Sequence, residues 1–470
     1  MNSSPDNQHP DHKPWLIFVC MLAGLVHGGY FLIHDDPQLE PDEIEYIQLS
    51  RYLADNSTLA LPSGEVAKRM PLYPALMSLI YRTQPADVWP NAVMALQSFI
   101  AWCSTIMIAL VAYRSADGRA GGLAGIITAL YVPFAYLQMS FLTETLLIFL
   151  FSASLLLYVT FGLKPNSSIR RPAALLGVSF LLGLAILTRA NALLLLPPFV
   201  VDTVFRSGSV TQRTSRVAFL VIPALACASV WAARNHREVG AFTLSTVGGL
   251  NFYLGHNPDY AADPGLDRLD YGIADRLRTE RNLTERQTDK FLFDRGFDFI
   301  RNHPGETILN SFKKISAWFS PRVPVYGPTV PMLILVVLAA AGWSRWRDGA
   351  LIDRRLALFR IAVVGAPLLA VFWLFQTLSY LNRHLDSVPL PFTSPLYVLS
   401  IGVPALLFLR SRLRIKGLLI GLVAGQLVVA IAFIPLSRLR WTVDGLLIIA
   451  IAIGVSNLCR WLQESPSRPT

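Results

Sequence analysis

Gly417-Leu-Leu-Ile-Gly-Leu-Val-Ala-Gly-Gln-Leu-Val-Val-Ala-Ile-Ala-Phe-Ile434 runs for eighteen residues without a charge. Leu446–Val455 repeats the pattern a few residues on. Such runs are apolar all round, not on one face, and their length matches the roughly 20 helical residues that cross a bilayer core of about 30 Å. The rest of the chain follows suit. Of its 470 residues, 53% are hydrophobic and only 15% charged, against about a quarter charged in soluble proteins. This composition excludes a soluble enzyme, a secreted disulfide scaffold and a disordered tail.

The fold class is therefore an all-α polytopic membrane protein with about 12 transmembrane helices (range about 10–13) and two structured extracytoplasmic loops bearing amphipathic helices. The expected spans lie near 15–34, 91–113, 120–138, 141–162, 173–188, 190–205, 216–233, 329–344, 358–380, 393–410, 417–436 and 441–459. The sixth is short and contains Pro197-Pro198, so a broken or re-entrant element is expected there. The first reads as a retained span, with no small-residue cleavage site after it. The net charge of +10 does not mark a nucleic-acid binder, because Lys and Arg sit in short loops between apolar runs. With both ends cytoplasmic, nineteen of them fall inside and eight outside, leaving aside the long second outer segment. The four cysteines, Cys20, Cys103, Cys227 and Cys459, are single and lack metal-ligand spacing, so they read as small buried side chains.

Two long segments, 35–90 and 234–328, then lie outside. In the first, Tyr46, Leu49 and Leu53 recur at helical spacing behind Pro41, predicting a helix over Asp42–Asp55. In the second, Thr284-Glu-Arg-Gln287 has the pattern of a capping box, and a further helix is expected from Pro304.

Four clusters carry the chemistry. Asp42 and Glu43 occupy the first turn of the predicted helix, where the helix dipole favours an ionised carboxylate by about 0.3–1 kcal/mol, and Tyr46 shares the face of Asp42. Lys68-Arg69-Met-Pro71-Leu-Tyr73-Pro74 sets two cations before a stiff segment, an arrangement suited to a phosphate. Thr143-Glu144 puts a carboxylate at the outer end of a span, where acids are costly. Arg189 and the pair Arg383-His384 are outer basic points against the positive-inside trend; Glu144, an acid of the first loop or a bound phosphate would compensate Arg189. Glu43 and Glu144 are the carboxylates that would take a divalent cation, if one binds. No nucleotide-binding signature, G-x-x-x-x-G-K-[ST] or G-x-G-x-x-G, is present, nor is H-E-x-x-H.

In this order the motifs resemble the GT-C class of membrane glycosyltransferases that use polyprenyl-phosphate sugars, and most of all its protein O-mannosyltransferase and aminoarabinose transferase branch. Asp42-Glu43-Ile-Glu45-Tyr46 matches the family's Asp-Glu-x-x-Tyr, and Arg69-Met-Pro71-Leu72-Tyr73 its basic-x-Pro-Leu-Tyr. Thr143-Glu144-Thr145 and Thr188-Arg189 match its acid-bearing span and its Thr-Arg hairpin. Gly248-Gly-Leu-Asn251-Phe-Tyr253-Leu-Gly255-His256-Asn257-Pro258 matches a stretch common in bacterial members. Glu45 and Arg69 depart from the aminoarabinose branch, which tends to carry a basic residue and a lysine there.

The resemblance implies an inverting transferase in the bacterial inner membrane, working on the extracytoplasmic face. Asp42 would be the general base, with Glu43 beside it. Lys68, Arg69, Arg189 and Arg383 would bind the donor phosphate, and Tyr46, Tyr73, Glu144, Tyr253, Asn257 and His384 would line the substrate pocket. Its partners would be a polyprenyl-phosphate sugar, a hydroxyl-bearing acceptor and membrane lipids, with a divalent cation as the one possible cofactor. Residues 1–410 would form the catalytic module and 411–470 a C-terminal hairpin and tail. A secondary transporter, or a flippase or ligase for lipid-linked glycans, is the alternative reading of the same buried charges.

Overall fold

In the computed structural model of the chain, the described residues are 13–33, 39–163, 170–259, 270–319, 415–434 and 437–464. All regular structure among them is helical. Lipid offers no partners for backbone N–H and C=O groups, and a helix satisfies them within its own segment. The helices are α1 (Lys13–Ile33), α2 (Pro41–Asn56), α3 (Leu72–Thr83), α4 (Trp89–Ser115), α5 (Gly118–Ala129), α6 (Val132–Gln138), α7 (Glu144–Leu157), α8 (Arg170–Thr188), α9 (Leu196–Val204) and α10 (Val210–Val239). They continue with α11 (Gly248–Gly255), α12 (Ile273–Arg281), α13 (Glu285–Asn302), α14 (Pro304–Phe319), α15 (Lys416–Ala432) and α16 (Ser437–Glu464).

Six stretches among the described residues are long and apolar enough to cross a membrane: Pro14–Ile33, Trp89–Ser115, Glu144–Gly162, Arg171–Thr188, Val210–Val239 and Arg440–Asn457. The chain is a membrane protein on this evidence. The expected spans near 329–344, 358–380 and 393–410, together with Arg383 and His384, lie outside the described residues.

Two expected spans are not regular α-helices throughout. Residues 120–138 form α5 and α6 rather than one helix, because Tyr131 is extended (φ −79°, ψ 95°) and Pro133, in the first turn of α6, brings no N–H to continue the ladder. Residues 190–205 begin as a 3₁₀ segment, Ala190–Leu195, and only become α9 at Leu196, ahead of Pro197-Pro198. The two run on as one short apolar helix, Ala190–Val204, that changes its hydrogen bonding ahead of the prolines. Cys20, Cys103 and Cys227, expected to be buried, are free and half-buried.

Proline also shapes α10. Pro223 lies inside it, and the N–H of Ala224 donates to Ser179 Oγ on α8 at 2.9 Å, outside the helix's own ladder. Gly183 of α8 meets Cys227 of α10, where an added Cβ would fall 2.9 Å from its Sγ. Small residues let these two helices approach closely.

The C-terminal pair α15 and α16 shares the main apolar cluster: Leu418, Leu422, Leu446 and Ile453 pack with Ile108, Phe151 and Leu195. A buried polar tie fixes the pair. Tyr131 Oη donates to Asp444, Arg440 Nε reaches Asp444 at 3.3 Å, and Arg440 Nη1 donates to the Trp318 carbonyl at 3.1 Å. A second tie closes the end of α15: buried Lys314 of α14 donates to the Ile431 carbonyl at 2.9 Å. Burial lowers the Lys314 pKa to about 7.

Candidate active site

The site is assembled where the segment running from α2 to α3 meets the start of α7 and the end of α8. α2 begins as its sequence demands. Pro41 stands in the first turn, Asp42 and Glu43 follow, and Glu40 with Glu43 forms a capping box. The first turn thereby fixes Asp42 at the helix edge while Glu45 and Tyr46, three and four residues on, share its face.

Arg69 comes to that face from the segment before α3. Its Nη2 donates to Asp42 Oδ1, and its Nε donates to Glu45 Oε2 at 2.7 Å. Lys68 pairs with Glu45 at 2.8 Å and with Glu65 at 3.1 Å. Burial works against both cations, but Glu45 beside Lys68, and Asp42, Tyr46 and Glu45 beside Arg69, outweigh it and raise both pKa values. The guanidinium also covers the Tyr46 ring at 5.3 Å. These side chains are not sealed: Asp42 is 25% exposed and Arg69 14%.

A second ion pair lies across Tyr46. Glu144, the first residue of α7, is wholly buried, and Arg189 donates to it through Nη1. The same Nη1 reaches Thr143 Oγ1 at 3.2 Å, and Thr143 Oγ1 donates to Glu144 Oε2 at 3.2 Å. Arg189 is held in an extended conformation (φ −154°, ψ 125°) between α8 and the 3₁₀ segment. Burial pushes the Tyr46 hydroxyl pKa up, and it lies in the fields of Arg69, Arg189, Asp42 and Glu144 together. Four stretches far apart in the chain, around residues 42, 69, 144 and 189, thus converge on one tyrosine.

Buried polar side chains hold this geometry. Tyr73 packs edge-on against Tyr46, ring centroids 5.4 Å apart, and donates to Gln97 at 3.1 Å. Gln97 donates to the carbonyls of Gln138 and Ser140, at 3.1 and 2.9 Å, fixing the turn ahead of Glu144. Glu43, expected beside Asp42 in catalysis, faces that turn instead. One of its oxygens accepts the N–H of Phe141 at 2.7 Å and the other the N–H of Glu40 at 2.8 Å, which makes it a brace.

The end of α10, the loop before α11 and the start of α13 grip the backbone that carries Lys68 and Arg69. Glu285, first residue of α13, accepts the N–H of Val66 at 3.0 Å and of Ala67 at 3.1 Å, and the hydroxyl of Thr246. Thr246 N–H donates to the Ala67 carbonyl at 3.1 Å and Ser245 Oγ to the Lys68 carbonyl at 2.6 Å. Arg234, at the end of α10, donates to the carbonyls of Val66 and Leu59. α13 is started by the expected capping box, Thr284 with Gln287, which places Glu285.

Tyr253 and Asn257, expected in the pocket, fall on and just after α11. There the Asn257 amide donates to the carbonyls of Tyr253 and Leu254, at 2.9 and 3.1 Å, closing the helix end. Neighbouring Gly255 passes so close to the end of α15 that an added Cβ would lie 2.2 Å from the Phe433 carbonyl oxygen. Sequence reasoning missed the bridging role of Glu45, Gln97 as an anchor, and the Glu285 clamp. The spacing of Asp42 and Glu45 on one helix face, and a glutamine inside an apolar span, were the available signals.

Glu43 and Glu144 do not fit a cation site, since two backbone N–H groups and a guanidinium already hold them. Among the described residues no three His, Cys, Asp or Glu side chains gather as metal ligands.

No protein-family model matches the chain, and no curated protein does. Among solved structures it is similar to the Archaeoglobus fulgidus oligosaccharyltransferase, at 12% identity over 99% of this chain and 53% of that one, with a TM-score of 0.48. It is also similar to ArnT from Cupriavidus metallidurans bound to undecaprenyl phosphate, at 13% identity over 94% of this chain and 78% of that one, TM-score 0.39. A third is the Saccharomyces cerevisiae protein O-mannosyltransferase Pmt1-Pmt2 complex bound to its sugar donor, at 12% identity over 56% of this chain and 38% of that one, TM-score 0.38. The chain spans about half the length of the oligosaccharyltransferase it matches. These neighbours fall in the class that the sequence motifs resemble, membrane glycosyltransferases.

Proposed function

We propose that the chain is an inverting glycosyltransferase that moves a sugar from a polyprenyl-phosphate carrier to a hydroxyl-bearing lipid, glycan or protein. The observation that carries this reading is the pairing of a partly exposed carboxylate at a helix start, Asp42, with a guanidinium, Arg69, beside a second acid–base pair around Tyr46. Asp42 takes the proton of the acceptor hydroxyl as its oxygen attacks the anomeric carbon. The carbon–oxygen bond to the phosphate breaks, and its electron pair leaves on the phosphate. One displacement inverts the anomeric centre and needs no covalent intermediate. Arg69, with Lys68, neutralises the charge that develops on the departing phosphate. Arg189 stands ready on the other side of Tyr46, its orientation set by Glu144. Arg69 serves both partners: as the phosphate takes over the guanidinium, Asp42 is left to the acceptor.

In this reading the chain has about 12 spans, lies in a bacterial inner membrane with both termini cytoplasmic, and works on the outer face, as the distribution of basic residues supports. Residues 1–410 are the catalytic module and 411–470 a hairpin packed into its side. The sugar donor is a monosaccharide on polyprenyl phosphate. A mass-tagged carrier of that type, incubated with membranes holding the full chain, should give tagged product with the wild type. Asp42→Asn should lower the rate about 10²–10⁴-fold, the usual contribution of a general base. Transfer at wild-type rate by Asp42→Asn, with the protein inserted and folded, would remove Asp42 from the chemistry.

A further inference from the structure

The ion pairs around Arg69 do not stop at Lys68. Glu65, three residues earlier in the chain, holds the Lys68 ammonium on its Oε1 at 3.1 Å, and the same oxygen takes Nη1 of Arg278 from α12. Its other oxygen accepts the Ser63 hydroxyl at 2.6 Å. Arg278 in turn pairs with Asp275, one turn earlier on α12. Acids and bases thus alternate along one line: Asp42, Arg69, Glu45, Lys68, Glu65, Arg278 and Asp275. The line starts on α2, crosses the loop before α3 and ends on α12.

The members of this line differ in their access to water. Glu65 is only 7% exposed, Arg278 is half-buried and Asp275 is exposed. Water can replace a partner of Asp275 but hardly one of Glu65. Burial works against the Glu65 charge, yet Arg278, Ser63 and Lys68 outweigh it and hold the carboxyl below its ordinary range. An acid that keeps its charge out of water depends on the cations it touches. With two cations on one oxygen, Glu65 divides its pull between them. Without Arg278, all of that pull would fall on Lys68.

We propose that Arg278 is a positioning residue of the donor seat: by occupying Glu65, it leaves Lys68 loosely enough held to pass to a phosphate. The inference rests on the reaction proposed above, in which Lys68 meets the carrier phosphate. Arg278 acts here through an acid and not by contact with the donor. That gives its effect a sign that a mere support lacks. Removing Arg278 should harm phosphate binding, whereas neutralising Glu65, which is just as buried in the same network, should help it.

Calorimetric titration of the full chain in a neutral detergent with farnesyl phosphate, a short polyprenyl monophosphate, provides the test. Arg278→Ala should weaken the affinity about 5-fold, the worth of one partly exposed ion pair. Arg278→Lys, which keeps the charge, should recover most of the loss. Glu65→Gln should tighten binding by a similar factor, and Arg278→Ala added to it should have no further effect, since the two act through one contact. Arg276→Ala, which removes an exposed arginine of the same helix paired with Asp270, should leave the affinity unchanged. A 5-fold loss that persists in the Glu65→Gln background would make Arg278 a direct phosphate ligand and overturn the positioning role. Unchanged affinity in Arg278→Ala, or weaker binding by Glu65→Gln, would overturn it as well. If Arg278→Ala does not fold, the direction of the Glu65→Gln effect decides. A wild type that binds no farnesyl phosphate would sink the donor reading and this inference together, whereas a wild type that binds it with no response to these changes would sink the inference alone.

Discussion

The two carboxylate–guanidinium pairs that flank Tyr46 have the same chemistry and opposite settings. In the first, Asp42 is 25% exposed and Arg69 divides its donors between Asp42 and Glu45. In the second, Glu144 has no exposed surface, and Arg189 binds it with Thr143 as a shared third member. A shared, partly exposed pair is worth less to stability than a sealed one and exchanges partners more readily. A pair with a fully buried acid is costly to break, because one partner's removal strands the other. In the proposed reaction the first pair would serve the chemistry, while the second holds the shape of the site.

The largest test of this contrast exchanges activity against stability. Glu144→Ala is expected to destabilise the protein by about 3–5 kcal/mol, whereas Asp42→Ala should cost under about 1 kcal/mol. Thermal unfolding in detergent reads the stability of both variants, and transfer in membranes reads their activity, where the order should reverse. If Asp42→Ala unfolds the protein as readily as Glu144→Ala, the division of labour is wrong. Next, Arg69→Ala should weaken donor affinity about 10–100-fold, the worth of a charge-assisted hydrogen bond or two. Titration of membranes with a polyprenyl-phosphate sugar measures this, and an unchanged affinity would break the assignment of Arg69 to phosphate.

A smaller effect is expected at the clamp. Glu285→Ala orphans the N–H groups of Val66 and Ala67, at about 1–3 kcal/mol, and should raise the donor KM while leaving kcat close to wild type. Glu285→Gln, which keeps one acceptor, should recover part of the loss. A fall in kcat with KM untouched would show that the clamp does not act through the cations.

The smallest is a pH effect at Asp289, whose carboxyl is pushed up from 3.8 to about 6, chiefly by burial. The folded state holds this proton more tightly than the unfolded chain, so its contribution is full below pH 3.8 and is lost as pH rises through about 6. The wild type should lose stability over that window relative to Asp289→Asn. Parallel unfolding curves of the two proteins across that range would contradict it.

The sequence made much of this legible because local rules and the bilayer both act at short range. Pro41 with Asp42 and Glu43 marks the start of α2, and Thr284 with Gln287 that of α13, from backbone capping alone. Arg189 against the charge trend called for a compensating group, with Glu144 among three candidates, and the two are paired. Spacing says nothing of which way a first-turn acid faces, however. Asp42 and Glu43 are adjacent, so they diverge by about 100° around the helix, and only the fold decides that one meets Arg69 and the other the backbone of Phe141. The clamp of Glu285 on Val66 spans 219 residues of sequence and uses backbone N–H groups, which leave no side-chain signature.

The double hold of Arg69 by Asp42 and Glu45 has a consequence for turnover. A sugar-bearing phosphodiester carries one negative charge, but the carrier phosphate it leaves behind can carry two, and a naked arginine seat would keep the spent carrier longer than the fresh one. Here the two carboxylates stand beside the guanidinium throughout and reclaim it when the bond has broken, so in the proposed reaction the resting ion pairs double as an ejector for the exhausted lipid.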